Sequence, residues 1–102
     1  MNRDPYAGAR QACLEQTNAY RARLGVGALT SRPDKFDCTD RDARGDATNG
    51  TIHGEAGKCG LMAQNECPSW PGTAAGIVSE CLKNMFDEGP GEPYSAHGHF
   101  IN

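Results

Sequence analysis

The last quarter of the chain holds a carboxylate followed by two histidines, which are side chains that can bind a metal or move a proton. Glu88 closes a stretch with helical periodicity, and His97 and His99 follow it across a turn. If residues 97–99 form a strand, both imidazoles point to one face, because side chains alternate along a strand. A carboxylate that faces histidines can bind a divalent cation or set imidazole protonation. The alternative is a solvated helix end followed by surface histidines.

Two apolar stripes predict the helix that positions Glu88. Their members recur at four-residue spacing, as on one face of a helix: Ile77, Cys81, Met85 and Val78, Leu82, Phe86. The segment Gly89-Pro90-Gly91 should end this helix, because proline cannot continue it and glycine accepts the backbone angles of a turn.

A first helix of about five turns is predicted to begin at Asp4-Pro5 and to end at Gly25 or Gly27. Its stripe should consist of Ala9, Cys13, Thr17, Tyr20 and Leu24, which places Cys13 on the buried face. A second helix is predicted from Ser31–Asp34 to about Ala47. Its apolar face is poor and consists of Phe36, Ala43 and Ala47, so contacts around this helix must stabilise it.

Residues 52–72 are rich in glycine, proline and cysteine and lack periodicity, which predicts a long functional loop. The loop contains His53 and the polar run Gln64-Asn65-Glu66. Trp70 is either a contact residue at the surface or part of the core.

Five cysteines favour an oxidising compartment and disulfides in a small domain. The candidates for pairing are Cys13, Cys38, Cys59 and Cys67. A Cys13–Cys38 bond would join the first two helices, and a Cys59–Cys67 bond would close a small ring in the loop. Zinc is the competing use of Cys59 and Cys67, but their spacing is not CxxC. Cys81 would then remain unpaired.

Length and charge limit the class of protein. A chain of 102 residues with net charge −3 predicts one small domain, residues 1–102. Basic residues are scattered, which argues against a nucleic-acid partner, and no apolar run is long enough to span a membrane. The chain has no signal-peptide pattern, so it is either the mature form of a secreted or periplasmic protein or a cytosolic chain. The cysteine content favours the first.

Several short motifs resemble the CAP superfamily, which comprises cysteine-rich secretory proteins, antigen 5 and plant pathogenesis-related proteins. The motifs occur in the family order over nearly the whole chain, and their residues are most similar to those of a bacterial branch. They are Asn18-Ala-Tyr20-Arg21, His53, Ala63-Gln64-Asn65-Glu66, Met85-Phe-Asp-Glu88 and Gly98-His99-Phe100.

The resemblance implies an α/β fold, an α-β-α sandwich around a small antiparallel sheet with a strand at Gly98-His99-Phe100. It also implies a cleft in which His53 and His99 bind a divalent metal such as Zn²⁺, with Glu88 as a carboxylate and candidate catalytic residue. The fourth cleft position falls to Gln64, where the family has glutamate, or to Glu66. His97 is a further cleft candidate.

Family domains continue beyond this strand, whereas the chain ends at Asn102. The sequence is then a fragment, or the missing strands come from a partner, or the fold has been shortened. We expect a single CAP-like domain without the last strands, with a sheet edge open to self-association. The predicted function is a secreted binding module with a metal-binding His/Glu cleft. The alternatives are a metal-assisted peptidase or esterase, and a sterol-, lipid- or protein-binding domain without a metal.

Overall fold

The computed structural model describes residues 4–55, 57–60 and 63–102. Within these residues the chain forms α-helices, one short 3₁₀ helix and no strand, so the predicted α-β-α sandwich is wrong. The helices are α1 (Ala7–Arg23), α2 (Phe36–Asn49), α3 (Ala74–Asp87) and α4 (Tyr94–Ile101), and the 3₁₀ helix is Pro33–Lys35. By its contacts the chain divides into two compact units.

The first unit comprises the chain up to Thr30 and the segment from Trp70 to Ile101. It contains α1, α3 and α4, and α3 packs against both other helices. The ring of Phe86 in α3 stacks on Tyr20 at 4.3 Å and meets Phe100 at 5.3 Å between ring centroids. Met85, which precedes Phe86 in the sequence, is buried. The predicted stripes of α3 are therefore confirmed as its packing face.

Helix α4 stands where the sequence predicted a strand at Gly98-His99-Phe100. The Glu88 carboxylate accepts hydrogen bonds from the backbone N–H groups of His99 and Phe100, at 3.0 and 3.3 Å. In a helix, residues two positions apart point to different sides, so His97 and His99 do not share a face. The sheet edge proposed for self-association has no counterpart in the described segments.

Helix α1 confirms the predicted first helix, and its predicted stripe is confirmed in part. Ala9, Thr17 and Tyr20 are half-buried, whereas Cys13 and Leu24 are exposed. Gln16, which lies outside the stripe, donates a hydrogen bond from Nε2 to Ser79 Oγ in α3 at 2.6 Å. A polar contact therefore accompanies the apolar ones that the stripe predicted. Gly25, with φ 71°, supplies the left-handed residue after the helix.

Two residues of the Asn18-Ala-Tyr20-Arg21 motif hold the segment that follows α1. The Asn18 amide pairs with both backbone groups of Leu29, at 2.9 Å to its carbonyl and 2.7 Å from its N–H. Arg21 Nε donates to the carbonyl of Gly27 at 2.6 Å. These bonds give the two side chains a local structural role.

Thr73 begins α3 as its N-cap, because its Oγ1 accepts from the Gly76 N–H at 3.1 Å. We expect Thr73→Ala to lower the free energy of unfolding by about 1 kcal/mol, because an amide of the first turn loses its partner. Chemical denaturation measures this. Thr73→Ser keeps a hydroxyl and should stay near wild type; an equal loss in both variants would contradict the capping role.

The second unit comprises Ser31–Ser69 and Asn102. Helix α2 begins close to the predicted point, but its inward residues are acidic: Asp42 and Asp46 are buried, whereas Ala43 and Ala47 are exposed. The predicted apolar face of α2 is therefore wrong at both alanines, whereas its third member, Phe36, is half-buried. Gly50 ends the helix at φ 65°. Apart from positions 56, 61 and 62, which lie outside the described residues, residues 52–72 are irregular, as predicted.

The disulfides differ from both predicted pairs. Cys38 in α2 bonds Cys59 in the loop, with 5.8 Å between their Cα atoms. Cys67 and Cys81 are also disulfide-bonded, and Cys13 is a free, exposed thiol. The Cys13–Cys38 and Cys59–Cys67 pairs and the unpaired Cys81 were wrong, because α1 turns Cys13 toward solvent. The disulfides fit an oxidising compartment.

Candidate functional site

The sequence-predicted site residues form two clusters, one in each unit. In the first unit, Glu88 follows α3 and pairs with His99 of α4: the distance from Glu88 Oε2 to His99 Nδ1 is 2.7 Å. The hydrogen bond to the His99 side chain, with N–H donors of Phe100 and His99, lowers the pKa of Glu88 against the effect of burial. The ionised carboxylate therefore joins the end of α3 to α4.

His97 lies on the other side of the same turn. Its Nδ1 is 2.7 Å from the Glu88 carbonyl and 2.8 Å from the Gly89 carbonyl. Carbonyl oxygens only accept, so Nδ1 carries a proton and donates to both. His97 thereby satisfies carbonyls at the C-terminus of α3. Its geometry is that of a helix cap.

The lowered pKa of Glu88 predicts a pH-dependent stability. Its folded-state pKa lies below the unfolded value, so the stabilisation is present above the unfolded pKa and is lost as pH falls through the folded one. We expect Glu88→Gln to be less stable than wild type at neutral pH and to lose less stability on acidification. Urea denaturation over an acidic pH series measures this. The control is Glu80→Gln on the exposed side of α3; parallel pH curves for wild type and Glu88→Gln would contradict the prediction.

In the second unit, His53 lies beside both candidates for the fourth cleft position. Its Nδ1 is 2.7 Å from Gln64 Oε1, and its backbone N–H donates to Glu66 Oε2 at 3.2 Å. His53 has φ 59°, a left-handed conformation that is uncommon for a residue with a side chain. Such a conformation costs energy and persists where the surroundings hold it, often at functional sites.

Asp46 faces this cluster from α2. Its side chain is nearly buried, with a relative exposure of 7%, and its Oδ1 accepts from the Glu55 N–H at 2.8 Å. Its Oδ2 is buried and receives no hydrogen bond from a fixed donor. The neighbouring Glu66 can donate to it only while it is protonated.

Asp46 and Glu66 are adjacent carboxyl groups whose pKa values are shifted in opposite directions. Burial and the adjacent Asp46 raise the pKa of Glu66. The hydrogen bond from Glu66 and the N–H of Glu55 lower the pKa of Asp46. Glu66 therefore takes up a proton at a higher pH than Asp46 does. A pair of this kind can exchange its proton for another cation.

Asp46 and Glu66 line a groove of about 650 Å³ that lies within the second unit. Its lining combines apolar residues, Ala43, Ala47, Ile52 and Pro68, with polar residues, Asp46, Gln64, Asn65 and Glu66. A concave apolar surface with a few convergent polar groups is typical of a ligand site.

Asp46 was not predicted as a site residue, although the spacing of polar residues in α2 indicated that it shares a face with Cys38 and Asp42. Cys38, Asp42 and Asp46 recur at four-residue spacing and therefore lie on one face of α2. That face packs toward the loop, and both aspartates are buried.

The metal expectation has limited geometric support. Across the described part of the chain, one set of three His, Cys, Asp or Glu side chains places its ligand atoms within 4.8 Å of one another: Cys38, Asp42 and Cys59. The predicted ligands His53 and His99 belong to different units. His53, Gln64 and Glu66 form a hydrogen-bonded cluster, and their role as metal ligands stays a prediction.

Comparison of the chain with protein-family models, curated proteins and solved structures gives no match. None of the described helices is long and apolar enough to cross a membrane. The resemblance to the CAP superfamily stays a prediction from short motifs.

Proposed function

We propose that the protein is a small secreted or periplasmic binding module whose second unit binds an alkylammonium group, such as a lysine side chain. One observation carries this proposal: Asp46 lines a partly apolar groove, and its Oδ2 is a buried carboxylate oxygen that accepts no hydrogen bond. A buried acceptor without a partner is costly, and an N–H donor from a ligand removes that cost.

The number of carboxylate oxygens that can accept a hydrogen bond from a ligand favours an ammonium group over a guanidinium group. Asp46 Oδ1 already accepts from the Glu55 N–H, so Asp46 offers one oxygen to a ligand. A guanidinium is best bound by both oxygens of a carboxylate at once, whereas an ammonium is a compact point charge with three rotatable donors. The Glu66 carboxyl supplies a second acceptor once it has lost its proton.

The apolar wall suits the methylene stem of such a ligand. Lysine stems pack along apolar surfaces while their charged ends reach polar partners. In the groove, Ala47, Ile52 and Pro68 offer this surface next to the carboxyl pair. The groove volume of about 650 Å³ falls in the range of small-ligand sites and leaves room for the flanking atoms of a peptide.

The raised pKa of Glu66 gives the binding a pH dependence. Below that pKa, Glu66 is neutral and its proton occupies the position that the ammonium needs. Above it, Glu66 and Asp46 present two negative charges. We therefore expect affinity for an alkylammonium ligand to rise as pH increases through the raised pKa, with release of a proton on binding.

Calorimetry tests this proposal with N-acetyl-lysine methylamide as the probe. Titrations between about pH 4 and pH 8 should show weak binding in acid and tighter binding at neutral pH, and buffers of different ionisation enthalpy should reveal the released proton. N-acetyl-norleucine methylamide, which lacks the amine, is the control ligand. Equal binding of the two ligands, or an affinity independent of pH, would contradict the proposal.

The predicted alternatives remain distinguishable. A divalent cation such as Zn²⁺ would compete with the amine for Asp46 and Glu66. A zinc titration with the lysine probe present would detect this competition. The hydrolase alternative draws support from the Glu88–His99 pair, because a carboxylate that contacts Nδ1 of a histidine can orient the imidazole for acid–base chemistry. Lipid binding remains a prediction and would be independent of the amine.

A further inference from the structure

The Cys38–Cys59 disulfide lies against a second buried carboxylate of α2. Asp42 is 5% exposed, and its Oδ2 lies 2.9 Å from Cys59 Sγ. A disulfide sulfur has no proton to donate, so the carboxylate gains no hydrogen bond from it in the oxidised protein. The arrangement therefore places a buried anion where a thiol or a cation would satisfy it better.

The same three side chains have the spacing of a metal site. Cys38 and Asp42 are four residues apart and lie on one face of α2, a spacing that recurs in helical metal-binding motifs. Cys59 approaches them from the loop, and the carboxylate oxygen of Asp42 and the two bonded sulfurs lie within 4.8 Å of one another. Zinc binds thiolate sulfur at about 2.3 Å and carboxylate oxygen at about 2.0–2.2 Å, so one ion can bridge the three groups once the S–S bond has broken and the sulfurs have separated.

We infer that reduction of the Cys38–Cys59 disulfide creates a Zn²⁺ site made of Cys38, Cys59 and Asp42. Two thiols of a small-molecule reductant supply two electrons and two protons. The S–S bond breaks to give the Cys38 and Cys59 thiols, and the reductant becomes a disulfide. Zn²⁺ then replaces the two thiol protons, which pass to water, and forms two Zn–S bonds and one Zn–O bond. Water completes the tetrahedron.

The site is separate from the amine-binding groove, because neither cysteine nor Asp42 lines that groove. Cys38 is half-exposed, so a small reductant can reach the bond. The thiolates select zinc over hard cations such as Mg²⁺ or Ca²⁺. The covalent crosslink between α2 and the loop would thereby become a metal crosslink between the same residues.

Cobalt titration tests this inference, because thiolate-bound tetrahedral Co²⁺ has a charge-transfer band and strong visible bands. The protein carries Cys13→Ser, which removes the free thiol, and is reduced with dithiothreitol and desalted without oxygen. We expect one Co²⁺ per chain with these bands, bleached by Zn²⁺. The bands should vanish in Cys38→Ser and in Cys59→Ser, and the affinity should fall more than about tenfold in Asp42→Asn.

The control separates this site from the other reduced cysteines. Cys67→Ser with Cys81→Ser should keep the cobalt bands, and circular dichroism reports whether each variant retains its helices. Loss of the bands in that control while Cys38→Ser keeps them would overturn the inference. Absence of the bands in a reduced protein that keeps its helices would also overturn it, since the thiols would then only donate to Asp42.

Discussion

Replacing Cys38 and Cys59 by alanine is expected to lower the free energy of unfolding of the second unit by about 3 kcal/mol, the chain-entropy value for a loop of this length. The bond closes a separation of 21 residues between α2 and the loop. Helix α2 contributes little apolar burial of its own, because its buried residues are Asp42 and Asp46. A helix without an apolar face depends on its crosslink.

Hydrogen exchange with residue resolution measures this effect. Amides of α2 should lose protection in the double variant, whereas amides of α3, which pack through Phe86 and Met85, should keep theirs. Cys13→Ala, which removes an exposed free thiol, is the matched control and should leave both helices unchanged. Unchanged protection of α2 in the double variant would contradict the stabilising role of the bond.

Asp46→Asn is expected to weaken binding of the lysine probe roughly 10- to 100-fold, the range for a lost hydrogen bond to a charged group. Asparagine has nearly the same shape, so the groove persists while the charge that pairs with the ammonium disappears. Either rotamer of its amide offers the ligand at most one neutral acceptor. Glu66→Gln should weaken binding as well and remove the pH dependence, because its amide can donate permanently to Asp46 Oδ2.

Asp37→Asn is the matched control for the charge change. Asp37 is exposed in the first turn of α2 and does not line the groove. Calorimetry with the lysine probe should give wild-type affinity for Asp37→Asn and for Asp42→Asn. Equal weakening in Asp37→Asn would show that net charge, and not the carboxyl pair, attracts the ligand.

The helices were predictable where apolar residues dominate and less so elsewhere. Helix α3 carries its stripes on the packing face, as its periodicity predicted. In α1 the stripe was wrong at Cys13 and Leu24, which are exposed, and the hydrogen bond from Gln16 to Ser79 is a polar contact that an apolar pattern does not predict. The strand at Gly98-His99-Phe100 was predicted from a short motif, but this segment is helical, and the Glu88 carboxylate accepts hydrogen bonds from two of its N–H groups.

The candidate site was also predicted only in part. His53, Gln64 and Glu66 come together because they are close in one loop, and the sequence indicated that loop by its composition. The carboxylates of Asp42 and Asp46 were missed because charged residues are rarely buried, so a hydrophobic pattern assigns them to solvent. Their burial depends on Cys59 and Glu66 reaching α2 from the loop, which periodicity within a helix does not encode.

The most direct measurement of ligand binding at the carboxyl pair is an NMR titration of ¹³C,¹⁵N-labelled protein with N-acetyl-lysine methylamide at neutral pH. The side-chain carboxyl resonances of Asp46 and Glu66 should shift together and saturate, and the Ile52 methyl groups should contact the methylene protons of the probe. The norleucine analogue should leave both carboxyl signals in place. Saturable shifts confined to residues outside the groove, with Asp46 and Glu66 unmoved, would contradict binding at this site.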